Sequence, residues 1–135
     1  MWRNPKSSFP LGWWEPWGYD GKKWGWGIPN ENTPVLTGRY GELSFRYIGG
    51  KTVLSFFNSG LYKCTAIVAD NPWSDLVHAN SVDFAYGATT KQLYGCYTSP
   101  DSSLGTRNGM KFIVSQWITN TNDPYHSMLF TDTLK

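Results

Sequence analysis

The sequence predicts an all-β protein, built from antiparallel meander modules in β-propeller-like order. Three observations carry that prediction. Residues 41–86 and 91–134 each read as short alternating strands separated by turn residues. No segment shows the 3.6-residue periodicity of an amphipathic helix. The two stretches also share an element order. Leu54-Ser55-Phe56-Phe57 can be laid over Val114-Ser115-Gln116-Trp117, and Tyr62 over Tyr125 at the opening of the next strand.

Taken in order, residues 1–42 read as loop with short extended pieces. Pro5, Pro10, Pro16, Pro29 and Pro34 interrupt any helix, and Gly18, Gly21, Gly25 and Gly27 supply turn positions. Residues 43–48 alternate with period two, and Gly49-Gly50 is a tight-turn dipeptide. Residues 52–58 return as a second strand, Ser59-Gly60 turns again, and residues 62–69 form a third. Asp70-Asn71-Pro72 ends that meander. Between residues 73 and 90 the pattern allows an outer strand at 81–86 and a helical turn at 75–78. The second meander has strands at 92–97, 111–118 and 125–131, with a longer loop opening at Ser99-Pro100-Asp101. The expected organisation is one β domain over residues 1–135. It comprises a Trp/Gly/Pro-rich region to residue 40, a first module at 41–90 and a second at 91–135.

A chain of 135 residues fits one modest core. Aromatic residues make up 17% and charged residues 16%, against ~25% charged in an average domain, which excludes a disordered chain. The net charge is +2 and the only adjacent basic pair is Lys22-Lys23, so nucleic acid is not an expected partner. No apolar run approaches the ~20 residues of a membrane span. The first residues, MWRNPKSSFPLGWW, lack a signal-peptide apolar region, so the chain is expected either to stay inside the cell or to be a piece of something longer. Cys64 and Cys96 have neither zinc-type nor CxxC spacing, and both sit in apolar strand contexts. They are expected to be two buried thiols rather than a disulfide. Phosphate-loop, dinucleotide, nucleophile-elbow and zinc-protease motifs are absent, and His78 and His126 stand apart. No cofactor and no metal site is expected.

Candidate functional residues fall into three groups. Trp13, Trp14, Trp17, Trp24 and Trp26 crowd a glycine- and proline-broken run. Each carries a flat apolar face and one N–H donor, which suits stacking on a sugar ring; the alternative is that they pin a loop onto the core. Among the carboxylates, Glu15, Asp20, Glu31, Asp70, Asp75, Asp83, Asp101, Asp123 and Asp132 are the weaker candidates, because most lie in turns, where Asp caps or bends backbone. Glu42 differs, because it follows Gly41 at a strand start near Tyr40 and Phe45. There the carboxyl could face a ligand, the alternative being a solvated strand end or an ion pair with Arg39 or Arg46. Gln92 with Tyr94, and Gln116 with Trp117, stand at strand ends that can meet on one rim. Rings there would stack and amides would bond hydroxyls, unless the rim serves only packing. His126, after Tyr125, could line a pocket but reads better as a structural histidine.

The segments EPWGYDGKKWGWG, TPVLTGRYGELSFRYIGGKTVLSFFNSG, QLYGCYTSPDSSL and FIVSQWITNTNDPYHSMLF, in this order, resemble the C-terminal part of an actinobacterial family. That family was long described as a domain of unknown function and was later tied to endo-D-arabinanases, enzymes that cut cell-wall D-arabinan. The resemblance covers nearly all of the chain. It implies a β-propeller glycoside hydrolase, secreted or in the cell envelope, with related domains in actinophage proteins. The implied partner is the D-arabinan of arabinogalactan or lipoarabinomannan. Trp17, Tyr19, Trp24 and Trp26, in the WGYDG…WGWG loop, are candidate substrate contacts on the ground of their clustered flat rings. Glu42, Gln92, Tyr94, Gln116, Trp117 and Tyr125 match the family pattern as pocket residues, with Glu42 the candidate acid. Family members are more than twice as long, and their N-terminal half, expected to hold at least one catalytic carboxylate, has no counterpart here. The chain is thus expected to be an incomplete propeller that contributes substrate contacts. A second chain or self-association would then cover its open strand edges. The alternatives are a non-catalytic carbohydrate-binding module and a structural β domain of an envelope or phage protein.

Overall fold

The computed structural model describes the backbone of residues 2–3 and all of residues 15–28, 34–120, 122 and 124–135. Trp13, Trp14, Glu31 and Asp123, named above, lie outside the described residues. The described residues hold ten strands and no helix. They divide into two units, residues 1–36 and 37–135.

The first unit is a three-stranded antiparallel sheet, ordered β1 (Trp2–Arg3), β2 (Glu15–Tyr19), β3 (Trp24–Trp26). The β2–β3 hairpin turns because Asp20 accepts the backbone N–H groups of Lys22 and Lys23, each at 2.9 Å. Gly21 takes the left-handed backbone (φ +95°) that the turn requires. The N–H groups of Lys23 and Lys22 also hold the Asp20 carboxyl below its ordinary pKa.

The second unit contains two antiparallel meander sheets. The first is ordered β4 (Tyr40–Ile48), β5 (Lys51–Asn58), β6 (Lys63–Ala69), β7 (Asn80–Tyr86). The second is β8 (Leu93–Thr98), β9 (Met110–Trp117), β10 (Tyr125–Asp132). Gly49 and Gly50, both at positive φ, make the β4–β5 turn. The outer strand foreseen near residues 81–86 is β7. The helical turn foreseen at residues 75–78 does not form. There the Asp75 carboxylate accepts the N–H groups of Val77 and His78, at 3.0 and 3.3 Å, and this side-chain bonding replaces a helical ladder. The fold is all-β, with its meanders in propeller-like order and neither sheet closed into a barrel.

The two sheets pack face to face, with β4 and β5 both lying on β8. Alternation along each strand sends Val53, Phe57, Cys64, Phe112 and Val114 into one shared core. Phe84 and Phe112 stack within it, centroids 3.8 Å apart. The joint also carries a buried polar seam. Ser55 Oγ donates to the Cys96 carbonyl (3.0 Å) and lies 2.9 Å from Thr98 Oγ1, while the Thr98 N–H donates to Ser44 Oγ (3.1 Å). The expectation of two free thiols is overturned here. Cys64 on β6 and Cys96 on β8 form a disulfide across the joint, with Cα atoms 5.8 Å apart. Both cysteines do point into the apolar core, as their strand contexts foretold, but from facing sheets at bonding distance.

The seam also fixes strand direction. Thr98 lies beside Ser44, and a Cβ at Gly49 would stand 3.8 Å from that of Leu104. Moving forward along β4 therefore means moving forward along β8. The strands run parallel, and both begin at the same end of the unit.

Candidate functional site

That shared end is where most of the sequence-predicted residues of this unit gather. β4 and β8 each carry a β-bulge within their first residues. Tyr40 pairs with Asn58 and Leu43 with Phe56, so Gly41 and Glu42 together face Phe57. Leu93 pairs with Gln116 and Gly95 with Ser115, so Tyr94 is the extra residue of β8. A bulge bends its strand and re-aims a side chain, and bulges are frequent next to active sites.

At β8 the bulge carries Tyr94 into a three-ring cluster. Tyr94, Trp117 and Tyr125 have ring centroids 5.9, 5.9 and 6.2 Å apart, and Tyr125 stands edge-on to the other two. Tyr125 pairs directly with Trp117 across β9–β10. The rings are 43%, 48% and 42% exposed, so they pack on one another while keeping faces open to solvent. Such a cluster offers rigid apolar area at small conformational cost.

The two glutamines hold the rim. Gln116 Nε2 donates to the Lys91 carbonyl at 2.5 Å, and Gln92 Oε1 accepts the Thr119 N–H at 3.1 Å. The Gln92 carbonyl accepts the Trp117 N–H at 2.9 Å. One end of each amide is thus committed to backbone and braces the loops on either side of Trp117. Gln92 itself is at φ +54°. Glu42 is exposed at the start of β4 and, among the described residues, makes no ion pair with Arg39 or Arg46.

Tyr62, which the sequence offers only as the opening of a strand, packs at the same end. It is at φ +52°, an outlier for a bulky side chain. Its ring stands edge-on to Phe57 (5.7 Å) and lies over Gly87, where a Cβ would meet it at 1.8 Å. The Gly87 N–H donates to the Tyr62 carbonyl at 2.8 Å. The available signal was Gly87 following Tyr86, in a turn that the Thr89 and Thr90 N–H groups close on the Tyr86 carbonyl. Tyr62 and Gln92, both with positive φ, lie at this end, and Asn108 (φ +52°) lies in the β8–β9 loop.

In the first unit, Trp17 pairs with Trp26 and Tyr19 with Trp24, while Gly18 pairs with Gly25. Alternation therefore puts all four rings on one face of the hairpin and two glycines on the other. Trp17 stacks on Trp24 (6.3 Å, 12° between planes), and Trp26 and Tyr19 flank them at 5.1 and 5.4 Å.

The opposite end of the second unit is polar. A shallow pocket of about 330 Å³ there is lined by Lys51, Asp70, Asp75, His78 and Lys135 among others. His78 Nδ1 lies 2.7 Å from Asp75 Oδ2, which raises the His78 pKa and lowers that of Asp75. Lys51 pairs with Asp70 beside them. In the loop after β8, the Lys111 ammonium and then the Ser99 hydroxyl hold Asp101 below its ordinary value. Among the described residues, no group of three or more His, Cys, Asp or Glu is placed to hold a metal. No helix of the described residues is long and apolar enough to cross a membrane.

A search of the curated proteins finds no match. A family model described as "Domain of unknown function (DUF4185)" matches residues 3–131. The match supports the domain-of-unknown-function part of the resemblance and brings no activity with it. The chain belongs to that family.

Proposed function

We propose that this DUF4185 member is the polysaccharide-contacting portion of an arabinan-directed glycoside hydrolase of endo-D-arabinanase type. The observation that carries the reading is the exposed Tyr94–Trp117–Tyr125 cluster at the end where both bulged strands begin. Ring faces of this kind stack on the apolar C–H surface of a sugar, at about 1 kcal/mol per ring. The four-ring hairpin of the first unit is a second surface of the same chemistry. The Cys64–Cys96 disulfide favours an oxidising compartment, in keeping with a secreted or envelope protein.

Glu42 is the proposed acid. Glycoside hydrolysis by the usual route needs a second carboxylate roughly 5–10 Å away. Asp83 is committed to Lys63 (2.6 Å) and Thr65 (2.7 Å), and the second group is proposed to come from the N-terminal half that the resemblance implies. A non-catalytic carbohydrate-binding module is the second reading. It needs only the rings, and the ion-pairing of Asp70, Asp75, Asp83 and Asp101 favours it. Exposure of Trp117 (48%) and Trp24 (39%) weighs against a purely structural role.

The test is calorimetric titration of the protein with D-arabinan oligosaccharides and with unrelated gluco-oligosaccharides. Selective binding of the former is expected, and equal or absent binding of both would defeat the reading. In a preparation that releases oligosaccharide from arabinogalactan, Glu42→Gln should abolish turnover and leave binding intact. Full turnover would leave the module reading.

A further inference from the structure

The two meander sheets have four edge strands, and three of them are bulged. β4 and β8 carry the bulges described above. β7 carries a third, because Cys64 pairs with Ala85 and Thr65 with Asp83, which leaves Phe84 as the extra residue. β10 is straight. It pairs with β9 at eight consecutive positions, from Tyr125 with Trp117 to Asp132 with Met110. Its sequence, YHSMLFTD, holds no Pro, Gly or Lys. Bulges, Pro and Lys are the devices that keep an edge strand from pairing with another chain. Among the described residues, no strand pairs with the outer edge of β10.

The hydrogen bonds fix which backbone groups that edge offers. The Trp117 N–H donates to the Gln92 carbonyl, toward β8, and the Ile118 N–H to the Pro124 carbonyl, toward β10. Alternation then turns the backbone groups of His126, Met128, Phe130 and Asp132 toward β9, and those of Ser127, Leu129 and Thr131 outward. These last three residues are exposed, Leu129 at 63%. The strand is also self-complementary about Leu129. Two copies laid antiparallel on that residue set Met128 against Phe130, Ser127 against Thr131 and His126 against Asp132. Apolar meets apolar, hydroxyl meets hydroxyl and imidazole meets carboxylate. In the same register the outward backbone groups face each other. Leu129 against Leu129 and Ser127 against Thr131 become the hydrogen-bonded pairs of an antiparallel ladder.

We propose that two copies of this chain pair through β10, antiparallel, with Leu129 on the two-fold axis. The two three-stranded sheets then join into one sheet of six strands. A second copy is the occupant because both halves of the palindromic pattern lie in this one strand, and its charged ends complement each other. The contact is isologous, so it closes at two copies. The axis stands perpendicular to the sheet. The face that carries Trp117 and Tyr125 therefore stays open, and both ring clusters lie on the same side of the pair.

Sedimentation velocity over a concentration series tests this. The wild-type protein should form a dimer that dissociates on dilution, and nothing larger. Leu129→Lys sets two ammonium groups together on the axis and should be monomeric. Circular dichroism checks that it is folded. If it is not, Leu129→Pro replaces it, since that change removes an outward N–H and spares the ladder to β9. Single added thiols under mild oxidation read the register. The Cα atoms of a hydrogen-bonded pair stand about 5.5 Å apart, within disulfide range. Leu129→Cys should therefore give a linked dimer on a non-reducing gel. Thr131→Cys, which faces Ser127 of the other copy rather than itself, should not. A wild-type monomer at every concentration would overturn the proposal. So would a folded Leu129→Lys protein that still dimerises, linking at Thr131, or no linking at Leu129.

Discussion

The two sheets of the larger unit share a plan and differ in what covers them. Each is a meander whose first strand is bulged near its start, and each has a buried serine at the matching place in its second strand. In the first sheet both faces of β5 are closed, Val53, Ser55 and Phe57 on one side and Thr52, Leu54 and Phe56 on the other. In the second, β9 is closed through Met110, Phe112 and Val114 and open at Ile113 and Trp117. The same apolar alternation thus means core in one sheet and surface in the other. What decides is the neighbour on each face rather than the strand's own pattern.

The largest break of this comparison is to cut the bond between the sheets. Replacing Cys64 and Cys96 by Ala removes a cross-link spanning 32 residues, which the chain-entropy model values at about 4 kcal/mol. Urea unfolding should show a loss of that order, and an unchanged midpoint would mean that the joint holds without it. The serines sharpen the contrast at smaller scale. Ser55→Ala leaves the Thr98 hydroxyl without its buried partner and should cost roughly 1–3 kcal/mol. Ser115→Ala, measured in dilute protein, removes an unbonded hydroxyl and should be close to neutral. Equal losses at both positions would say that the two sheets are covered alike.

The smallest effect lies at the polar end of the first sheet, in the exposed Asp75–His78 pair. The His78 pKa is raised, so its contribution is complete below about 6.5 and is lost as pH rises through the higher folded value. The Asp75 pKa is lowered, so its contribution is complete above about 3.8 and is lost as pH falls through the folded value. The pair should therefore help most between those limits. His78→Gln should flatten the stability profile on the alkaline side of that window and leave the ring end untouched. An unaltered profile would assign the pair no role in stability.

Much of the fold was legible because it rests on local signals. Period-two alternation located β4, turn residues such as Gly49-Gly50 and Ser59-Gly60 bounded β5, β6 and β8 to β10, β7 was legible only as an allowed outer strand, and the β1–β3 sheet read as loop with short extended pieces. The disulfide was not legible, since Cys64 and Cys96 meet only after two sheets have packed, and their sequence spacing carries no trace of that. Tyr94, Trp117 and Tyr125 could be named from strand-end positions, but their meeting depended on the β8 bulge, which adds one residue and turns Tyr94 toward the other two. Tyr62 read only as the opening of a strand, because its positive φ arises from the close approach of Gly87, a contact across β6 and β7. From sequence the glutamines read as hydroxyl partners. The structure gives one end of each amide a backbone partner, a competition that composition does not reveal.

Binding of a D-arabinan oligosaccharide to Trp117→Ala, compared with wild type, tests the central claim most directly. Trp117 is half exposed and touches both other rings of the cluster, so its removal opens the sugar-facing surface without entering the core. A loss of about 1 kcal/mol of stacking predicts affinity weaker by roughly five- to tenfold, with the unfolding midpoint nearly unchanged. Unaltered affinity in both Trp117→Ala and Tyr125→Ala would contradict the account and leave the ring cluster as packing alone.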